Sequence, residues 1–207
     1  MNKFVICIGR RVGAGGLHTA HMLAEQLGVK VYDKEILSEA AKRFGINTEI
    51  FGASDENVAK RGLRSIFGFL NVSESSASAK GMLTDEALFN MQSEVIKRIA
   101  QEESCIIVGR CADYILRENP NCLSVFITAD IKHRASFLAE QWHCPEYEAK
   151  QRIEREERKR AYYYNFFTFK TWGDSASYDV CIDSVRTGSL ENVVEMIKLA
   201  MKQRNLI

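Results

Sequence analysis

Three glycines, Gly13, Gly15 and Gly16, stand close together shortly after an apolar run at residues 4–8. Apolar residues at helical spacing follow them, so the glycines lie in a turn between a buried strand and a helix. Such a turn brings backbone N–H groups and the positive helix end together, and both attract phosphate oxygens. We expect a side chain at Gly15 to fill the space of those oxygens. The predicted phosphate-binding residues are Gly13, Ala14, Gly15, Gly16, Leu17 and His18.

This glycine loop, residues 9–16, departs from the full phosphate-loop pattern G-x-x-x-x-G-K-[ST]. With Gly15 as the second glycine, Arg10 stands at the first glycine, Gly16 at the lysine and Leu17 at the hydroxyl residue. In the full pattern the lysine neutralises phosphate charge and the hydroxyl holds Mg²⁺. In this chain, charge neutralisation and Mg²⁺ binding either depend on other groups or do not occur. Nearby candidates are Arg10, Arg11 and His18.

A dinucleotide-binding loop is an alternative, since Gly9, Gly13 and Gly15 also match G-x-x-x-G-x-G. Asp33 then follows the second strand, where such folds place a ribose-binding acid. Short-chain oxidoreductases with this loop also carry a Y-x-x-x-K pair, and no tyrosine here has lysine at that spacing. An NAD(P)-binding oxidoreductase therefore stays a remote alternative, as does a turn with no ligand.

Strand and helix patterns alternate along the whole chain. The apolar runs predict strands at residues 4–8, 29–32, 105–108, 123–127 and 178–182. Helical patterns lie at 17–27, 33–44, 55–69, 83–103, 131–142, 146–160 and 190–202. This alternation predicts an α/β fold with three layers, a doubly wound parallel sheet between helices. A length of 207 residues fits one such domain, residues 1–207, and is short for two.

The charge balance restricts the partners. Lys and Arg number 28 against 27 Asp and Glu, so no overall field attracts nucleic acid or an anionic membrane. No apolar stretch reaches the roughly 20 residues of a membrane helix, and we expect a cytoplasmic protein without nucleic-acid or membrane partners. Six cysteines without a C-x-x-C pair predict buried free thiols. His18 and His21 lack a third ligand, so we expect no metal site made by the protein.

Several short motifs are distributed along the chain. They are the glycine loop, Val31-Tyr32-Asp33-Lys34-Glu35, residues 106–113, Arg160-Ala161-Tyr162-Tyr163, Trp172-Gly173-Asp174 and residues 178–183. Together they resemble the cytidylate kinase-like family of bacteria over nearly the whole chain. The resemblance implies a fold of the P-loop nucleotide kinase type, with a helical excursion at about 45–81 and a lid with an aromatic segment at about 150–175. It also implies transfer of the terminal phosphate of ATP, with Mg²⁺, to CMP, dCMP or a similar small acceptor.

The same resemblance implies residues for the acceptor. Asp33 matches an aspartate that lies near the monophosphate acceptor, which makes it a candidate catalytic and substrate-binding residue. Arg110 with Asp113 resembles a G-R-D segment that contacts cytidine monophosphate. Arginine can fork onto a phosphate, and a carboxylate can accept from the cytosine amine. Alternatively, Asp113 only begins a helix and Arg110 is a solvated loop cation.

Six basic residues lie between positions 150 and 160, and Arg152, Arg155, Arg158 and Lys159 share one helical face. Monophosphate kinases close an arginine-bearing lid over the transferred phosphate, because positive charge must gather where negative charge spreads. Arg155 and Arg160 are therefore candidate catalytic residues and Arg152 a candidate substrate-binding residue. A solvated helix with mixed charges is the alternative.

Aromatic residues crowd into positions 162–172, with more ring surface than a short segment buries on itself. A docked lid or a homodimer contact through this segment would cover it. Stacking of RNA bases is a further alternative, which the low net charge disfavours.

Two functions therefore follow from one loop. The first is phosphoryl transfer from ATP to a small acceptor. The second is a nucleotide-binding regulator without turnover, because Gly16 and Leu17 stand where lysine and a hydroxyl residue are expected.

Overall fold

A five-stranded parallel sheet forms the centre of the described part of the chain. The structure is a computed structural model that describes residues 3–33 and 85–207. The predicted excursion at 45–81 and the predicted helix at 55–69 lie outside the described residues, as does all but the first residue of the helix at 33–44. The strands are β1 (Val5–Arg10), β2 (Lys30–Tyr32), β3 (Cys105–Val108), β4 (Cys122–Thr128) and β5 (Val180–Asp183), in the spatial order β2-β3-β1-β4-β5.

Helices cover both faces of this sheet. They are α1 (Gly16–Leu27), α2 (Asp85–Glu102), α3 (Ala112–Ile115), α4 (Ile131–Trp142), α5 (Glu146–Thr168) and α6 (Leu190–Gln203). Side chains of β1 alternate between two cores, since Ile6 packs with α1 and α6 while Cys7 packs with α2 and α3. The predicted α/β fold with a doubly wound parallel sheet is confirmed.

The strand β1 lies between β3 and β4, with Ile8 opposite both Val108 and Val125. All described strand pairs are parallel, so the carboxyl ends of β1, β3 and β4 meet at one edge of the sheet. In α/β folds, ligands bind at this edge. The glycine loop follows β1 there, and Arg110 follows β3.

The strand β1 is longer than its apolar pattern predicts, because Gly9 and Arg10 also pair with Phe126 and Ile127 of β4. Glycine is required at position 9, since a Cβ there would come within 2.7 Å of the Phe126 ring. Arg10 is consequently a strand residue whose backbone is held on the sheet.

The helix α5 extends to Thr168, eight residues past the predicted end at 160. Most of the segment predicted as a lid is thus one continuous helix that packs against α4 through Ile153 and Leu138. Although α5 has 23 residues, no helix in the described ranges is both long and apolar enough to cross a membrane.

The six cysteines are free thiols, and four are buried: Cys7, Cys105, Cys111 and Cys122. Cys181 is exposed, contrary to the prediction from its apolar surroundings. It lies on the edge strand β5, where alternate side chains leave the core and Ile182 faces inward.

Candidate phosphate-binding site

The glycine loop places backbone donors at the start of α1. Gly13 and Gly15 both have φ of 78°, a left-handed conformation that favours glycine. The first hydrogen bond of α1 runs from the Thr19 N–H to the Gly15 carbonyl at 2.9 Å. The N–H groups of Gly16, Leu17 and His18 precede that bond and lie at the positive helix end. This geometry suits an anion.

Packing also requires the loop glycines. A Cβ at Gly13 would come within 2.7 Å of Leu138 on α4, and one at Gly15 within 2.8 Å of Leu190 on α6. A side chain at Gly15 would therefore point into the protein and not, as expected, into the phosphate space. Replacement of Gly15 would strain the backbone at its φ of 78° and crowd Leu190, so a loss of phosphate binding in such a variant would not by itself identify the site.

Gly16 lies under the side chain of Arg10. A Cβ at Gly16 would come within 2.5 Å of the Arg10 Cβ and 2.8 Å of its Cγ. The Arg10 side chain then continues to Gly109 at the end of β3, where a Cβ would overlap its Nη1. Arg10 thus crosses from the end of β1, over the first residue of α1, to the end of β3.

Three arginines form a cluster at this edge: Arg10, Arg110 and Arg160. The Arg160 guanidinium donates to the backbone carbonyl of Arg10 at 3.1 Å. Burial, with repulsion from Arg160 and Arg110, lowers the pKa of Arg10 to about 9, and Asp33 opposes the shift. Burial also lowers the pKa of Arg160, to which Arg110 contributes. A bound anion would relieve this repulsion, so the arginine cluster suits phosphate.

A largely buried ion pair between α4 and α5 supports the glycine loop. Glu157 on α5 accepts from the Val12 N–H at 3.0 Å and from Arg134 at 2.8 Å. Arg134, on α4 and 5% exposed, also donates to the carbonyls of Val12 and Ala129. Arg11 adds a contact to Glu157 at 3.2 Å. Sequence reasoning missed this arrangement, since the partners lie on separate elements and no local pattern connects them.

The strand order bears on the dinucleotide alternative. Classic dinucleotide-binding sheets have the order 3-2-1-4-5-6, in which the second strand adjoins the first. Here β3 adjoins β1. The oxidoreductase alternative therefore finds no support in the topology.

A model of the cytidylate kinase-like family matches residues 5–186 of the chain. The chain belongs to the cytidylate kinase-like family. The resemblance seen in the sequence motifs is thereby confirmed. Membership supports a kinase-like transferase function with a nucleotide or another small molecule as ligand. No curated protein matches the sequence.

Solved structures share the fold of this family member. An uncharacterized protein from Eubacterium ventriosum is 28% identical, with a TM-score of 0.70 over 97% of this chain and 99% of that one. Shikimate kinase from Bacteroides thetaiotaomicron is 14% identical, with a TM-score of 0.52 over 96% and 98%. Shikimate kinase from Acinetobacter baumannii, in complex with shikimate, is 12% identical, with a TM-score of 0.52 over 100% and 97%. The fold is that of α/β P-loop kinases.

The structure brings several predicted site residues of this cytidylate kinase-like chain together. Arg110, the second residue after β3, has φ of 61°, and the Gln92 side chain donates to its carbonyl at 3.1 Å. Asp33 follows β2 and acts electrostatically on Arg10. With Arg160, these residues lie at the same edge as the glycine loop.

Asp113 is held by a protein partner. Its carboxylate accepts from the Tyr164 hydroxyl at 2.7 Å. Burial raises the pKa of Asp113, and the Tyr164 hydrogen bond opposes the shift. Asp113 also lies in the first turn of α3, which agrees with the alternative interpretation that it only begins a helix. Contact between Asp113 and an acceptor stays a prediction.

The structure does not bring Arg152 and Arg155 to the loop. Arg152 lies over the Trp142 ring at 4.8 Å, and the Arg155 Nε is 3.7 Å from the Glu156 carboxylate. Five helical residues turn about 140° beyond a full circle, so Arg155 and Arg160 occupy different faces of α5. The basic face predicted to form the lid is the outer face, whereas Arg160 lies on the inner face with Ile153 and Tyr164.

The aromatic segment packs largely within the chain. Phe167 stacks on Phe89 at 4.3 Å, and Trp172 meets Phe126 edge-on at 5.6 Å. The Arg11 guanidinium lies over the Trp172 ring at 4.7 Å. Phe169 remains 92% exposed. These contacts match a docked segment, and a homodimer through residues 162–172 stays a prediction.

The described part of this family member offers few side chains that could bind a metal ion. Leu17, at the position of the usual hydroxyl residue, is 42% exposed and offers no oxygen. Within residues 3–33 and 85–207, no group of three or more His, Cys, Asp or Glu side chains could hold a metal ion. Mg²⁺ in kinase sites is held mainly by nucleotide phosphates and water, with one or two carboxylates, so this finding concerns only a metal ion held by protein ligands alone.

Proposed function

We propose that this chain transfers the terminal phosphate of ATP to CMP, dCMP or a similar small acceptor. The observation that carries the proposal is the arginine cluster beside the N-terminus of α1. Phosphoryl transfer depends almost entirely on positioning and on neutralising the charge that spreads over the transferred group. Three guanidinium groups and a row of backbone N–H groups at one edge supply both.

The triphosphate of ATP would lie on the N–H groups of Gly16, Leu17 and His18, which precede the first hydrogen bond of α1. The left-handed turns at Gly13 and Gly15 direct the chain into this arrangement. The ion pair of Glu157 with Arg134 holds Val12 and keeps the loop in place before the ligand arrives. A pre-organised site costs less on binding. Mg²⁺ would enter the site already bound to the phosphates of the nucleotide.

The acceptor would lie between Asp33 and Arg110, at the ends of β2 and β3. An oxygen of its monophosphate bonds to the γ-phosphorus, while the bond from that phosphorus to the β–γ bridging oxygen breaks, which leaves ADP and a diphosphate. Because a monophosphate oxygen is already anionic, no base is needed. For a hydroxyl acceptor, the Asp33 carboxylate would accept the proton.

The test is direct. Purified protein receives ATP, Mg²⁺ and one acceptor at a time from CMP, dCMP, UMP, AMP and GMP, and products are separated by ion-exchange chromatography. We expect CDP or dCDP together with equimolar ADP. Formation of no diphosphate from any acceptor, at enzyme concentrations near those of the substrates, would overturn the proposal.

A regulator that binds nucleotide without turnover is the second candidate, favoured by Gly16 and Leu17 at the positions of lysine and hydroxyl. Ligands that bind only the folded state raise the melting temperature. Stabilisation by ATP without product from any acceptor would support the regulator and reject the kinase. The absence of both stabilisation and product would reject both.

A further inference from the structure

Two of the positions at which the glycine loop departs from the usual phosphate-loop pattern, 10 and 16, are in contact in the structure. Arg10 replaces the first glycine of the pattern and Gly16 replaces its lysine. The Arg10 Cβ and Cγ lie 2.5 Å and 2.8 Å from where a Cβ of residue 16 would be. An arginine at position 10 and a lysine at position 16 therefore exclude each other.

We propose that the two replacements are one exchange, in which Arg10 takes over phosphate binding from the missing lysine. The cation enters the site from the end of β1, and not from the first residue of α1. This inference rests on the nucleotide site proposed above. It adds which residue binds the phosphates of the donor and why position 16 must be glycine.

The course of the Arg10 side chain supports this assignment. It passes over the N-terminal residue of α1, and its Nη1 lies against Gly109, which has φ of 77° and whose missing Cβ leaves the room. The guanidinium thus lies between the carboxyl ends of β1 and β3, near Arg110 and Arg160. A lysine on the first residue of α1 would bring its charge to the same edge.

The contacts of Arg10 differ from those of a structural arginine. Arg134 donates to Glu157 and to the carbonyls of Val12 and Ala129. The Arg10 guanidinium, by contrast, makes no hydrogen bond or ion pair with any residue in 3–33 or 85–207, although it acts electrostatically with Asp33. Burial and two neighbouring arginines work against its charge. A buried cation that lacks a partner among these residues is costly unless a ligand supplies one.

A guanidinium can bind phosphate in place of the lysine ammonium. A guanidinium offers two parallel N–H donors to a phosphate, whereas an ammonium acts as a compact point charge. Arg10 would span two oxygens of the β- and γ-phosphates. The backbone N–H groups of α1 would bind the same phosphates from the other side.

The test measures binding, not turnover. Isothermal titration of the full chain with ATP and with inorganic tripolyphosphate compares the wild type with Arg10→Met, which keeps the carbon stem over Gly16 and removes the charge. We expect Arg10→Met to weaken both ligands about 10- to 100-fold, the range for loss of a charge-assisted contact. Arg158→Ala, on the exposed face of α5, removes a cation elsewhere and should bind as the wild type does.

A reciprocal variant tests the exchange itself. Gly16→Lys alone should bind ATP poorly because its Cβ meets Arg10, whereas Arg10→Gly with Gly16→Lys restores the pattern G-x-x-x-x-G-K and should return affinity to within a few-fold of the wild type. Circular dichroism and melting temperature establish that each variant is folded.

The outcomes separate the two proposals. Tripolyphosphate binding that depends on Arg10, without phosphoryl transfer to any acceptor, would keep this inference and reject the kinase. Equal binding by the wild type and a folded Arg10→Met variant would overturn the inference and leave the kinase standing. Failure of the wild type to bind either ligand would overturn both.

Discussion

The carboxylate of Glu157 accepts a hydrogen bond from the Val12 backbone N–H at 3.0 Å, across 145 positions of the chain. The same carboxylate pairs with Arg134 at 2.8 Å, and Arg134 in turn donates to the Val12 carbonyl at 2.8 Å. Both polar groups of Val12 are thus satisfied by side chains of α4 and α5. The two helices hold the loop that begins the candidate phosphate site.

Replacement of Glu157 should therefore destabilise the protein. Glu157→Ala leaves the buried Arg134 guanidinium without its counter-charge, and breaking such a pair costs about 3–5 kcal/mol. The free energy of unfolding in urea measures the loss. Glu156→Ala, one position away on a more exposed pair with Lys159, is the matched control and should change stability by less than about 1 kcal/mol. Similar losses for both variants would show that the ion pair is no more than a surface contact.

Gly16→Ala tests the contact with Arg10 without a ligand. Its Cβ would meet the Arg10 Cβ at 2.5 Å, so we expect a loss of about 1–3 kcal/mol, typical of overpacking. In an Arg10→Gly background the contact is gone, and the same substitution should be neutral or stabilise the helix by up to about 1 kcal/mol. Chemical unfolding of the four variants in this cycle gives the interaction energy. Additive effects would mean that the two side chains do not meet.

Asp113→Asn should make stability less dependent on pH. The fold raises the pKa of Asp113 by burial, so its contribution to stability is fully present below the pKa of the unfolded chain and is lost as pH rises through the folded pKa. Asparagine can still accept from Tyr164 but carries no charge. We expect the variant to melt higher than the wild type at neutral pH, with a difference that shrinks as pH falls through the raised pKa. A constant difference across pH would reject the titration of Asp113.

The two faces of α5 should differ in catalysis. Arg160 lies on the inner face against the Arg10 carbonyl, and loss of its charge from the transferred phosphate should lower kcat/KM about 10- to 100-fold in Arg160→Ala. Arg155→Ala, on the outer face beside Glu156, should change kcat/KM by less than about threefold. Steady-state assays with ATP and CMP measure both. An equal loss in Arg155→Ala would mean that the outer face closes over the substrate.

Arg110→Ala should separate acceptor from donor. Arg110 follows β3, whereas the glycine loop follows β1, so the variant should bind CMP more weakly by about 2 kcal/mol, or about thirtyfold, and spare ATP. Titration calorimetry with each nucleotide measures the two affinities. Equal weakening of both would mean that Arg110 supports the whole edge of the sheet.

Local patterns predicted the elements well. The helix α4 and the strand β3 have the predicted bounds, because apolar residues at helical spacing or in a continuous run report burial directly. The glycine loop was also evident, since glycine is the residue that left-handed turns require. Patterns failed where pairing continued past the apolar residues: β1 extends through Gly9 and Arg10 because β4 lies beside them.

The sequence by itself determined the fold class, the family and the position of the glycine loop, because these depend on periodicity and on short motifs. Only the tertiary structure decided which cations reach that loop. The direction of Arg10 over Gly16, the inner position of Arg160 and the contact of Glu157 with Val12 join elements far apart in the chain. Such contacts follow from how helices pack on the sheet, and no local spacing of residues encodes them.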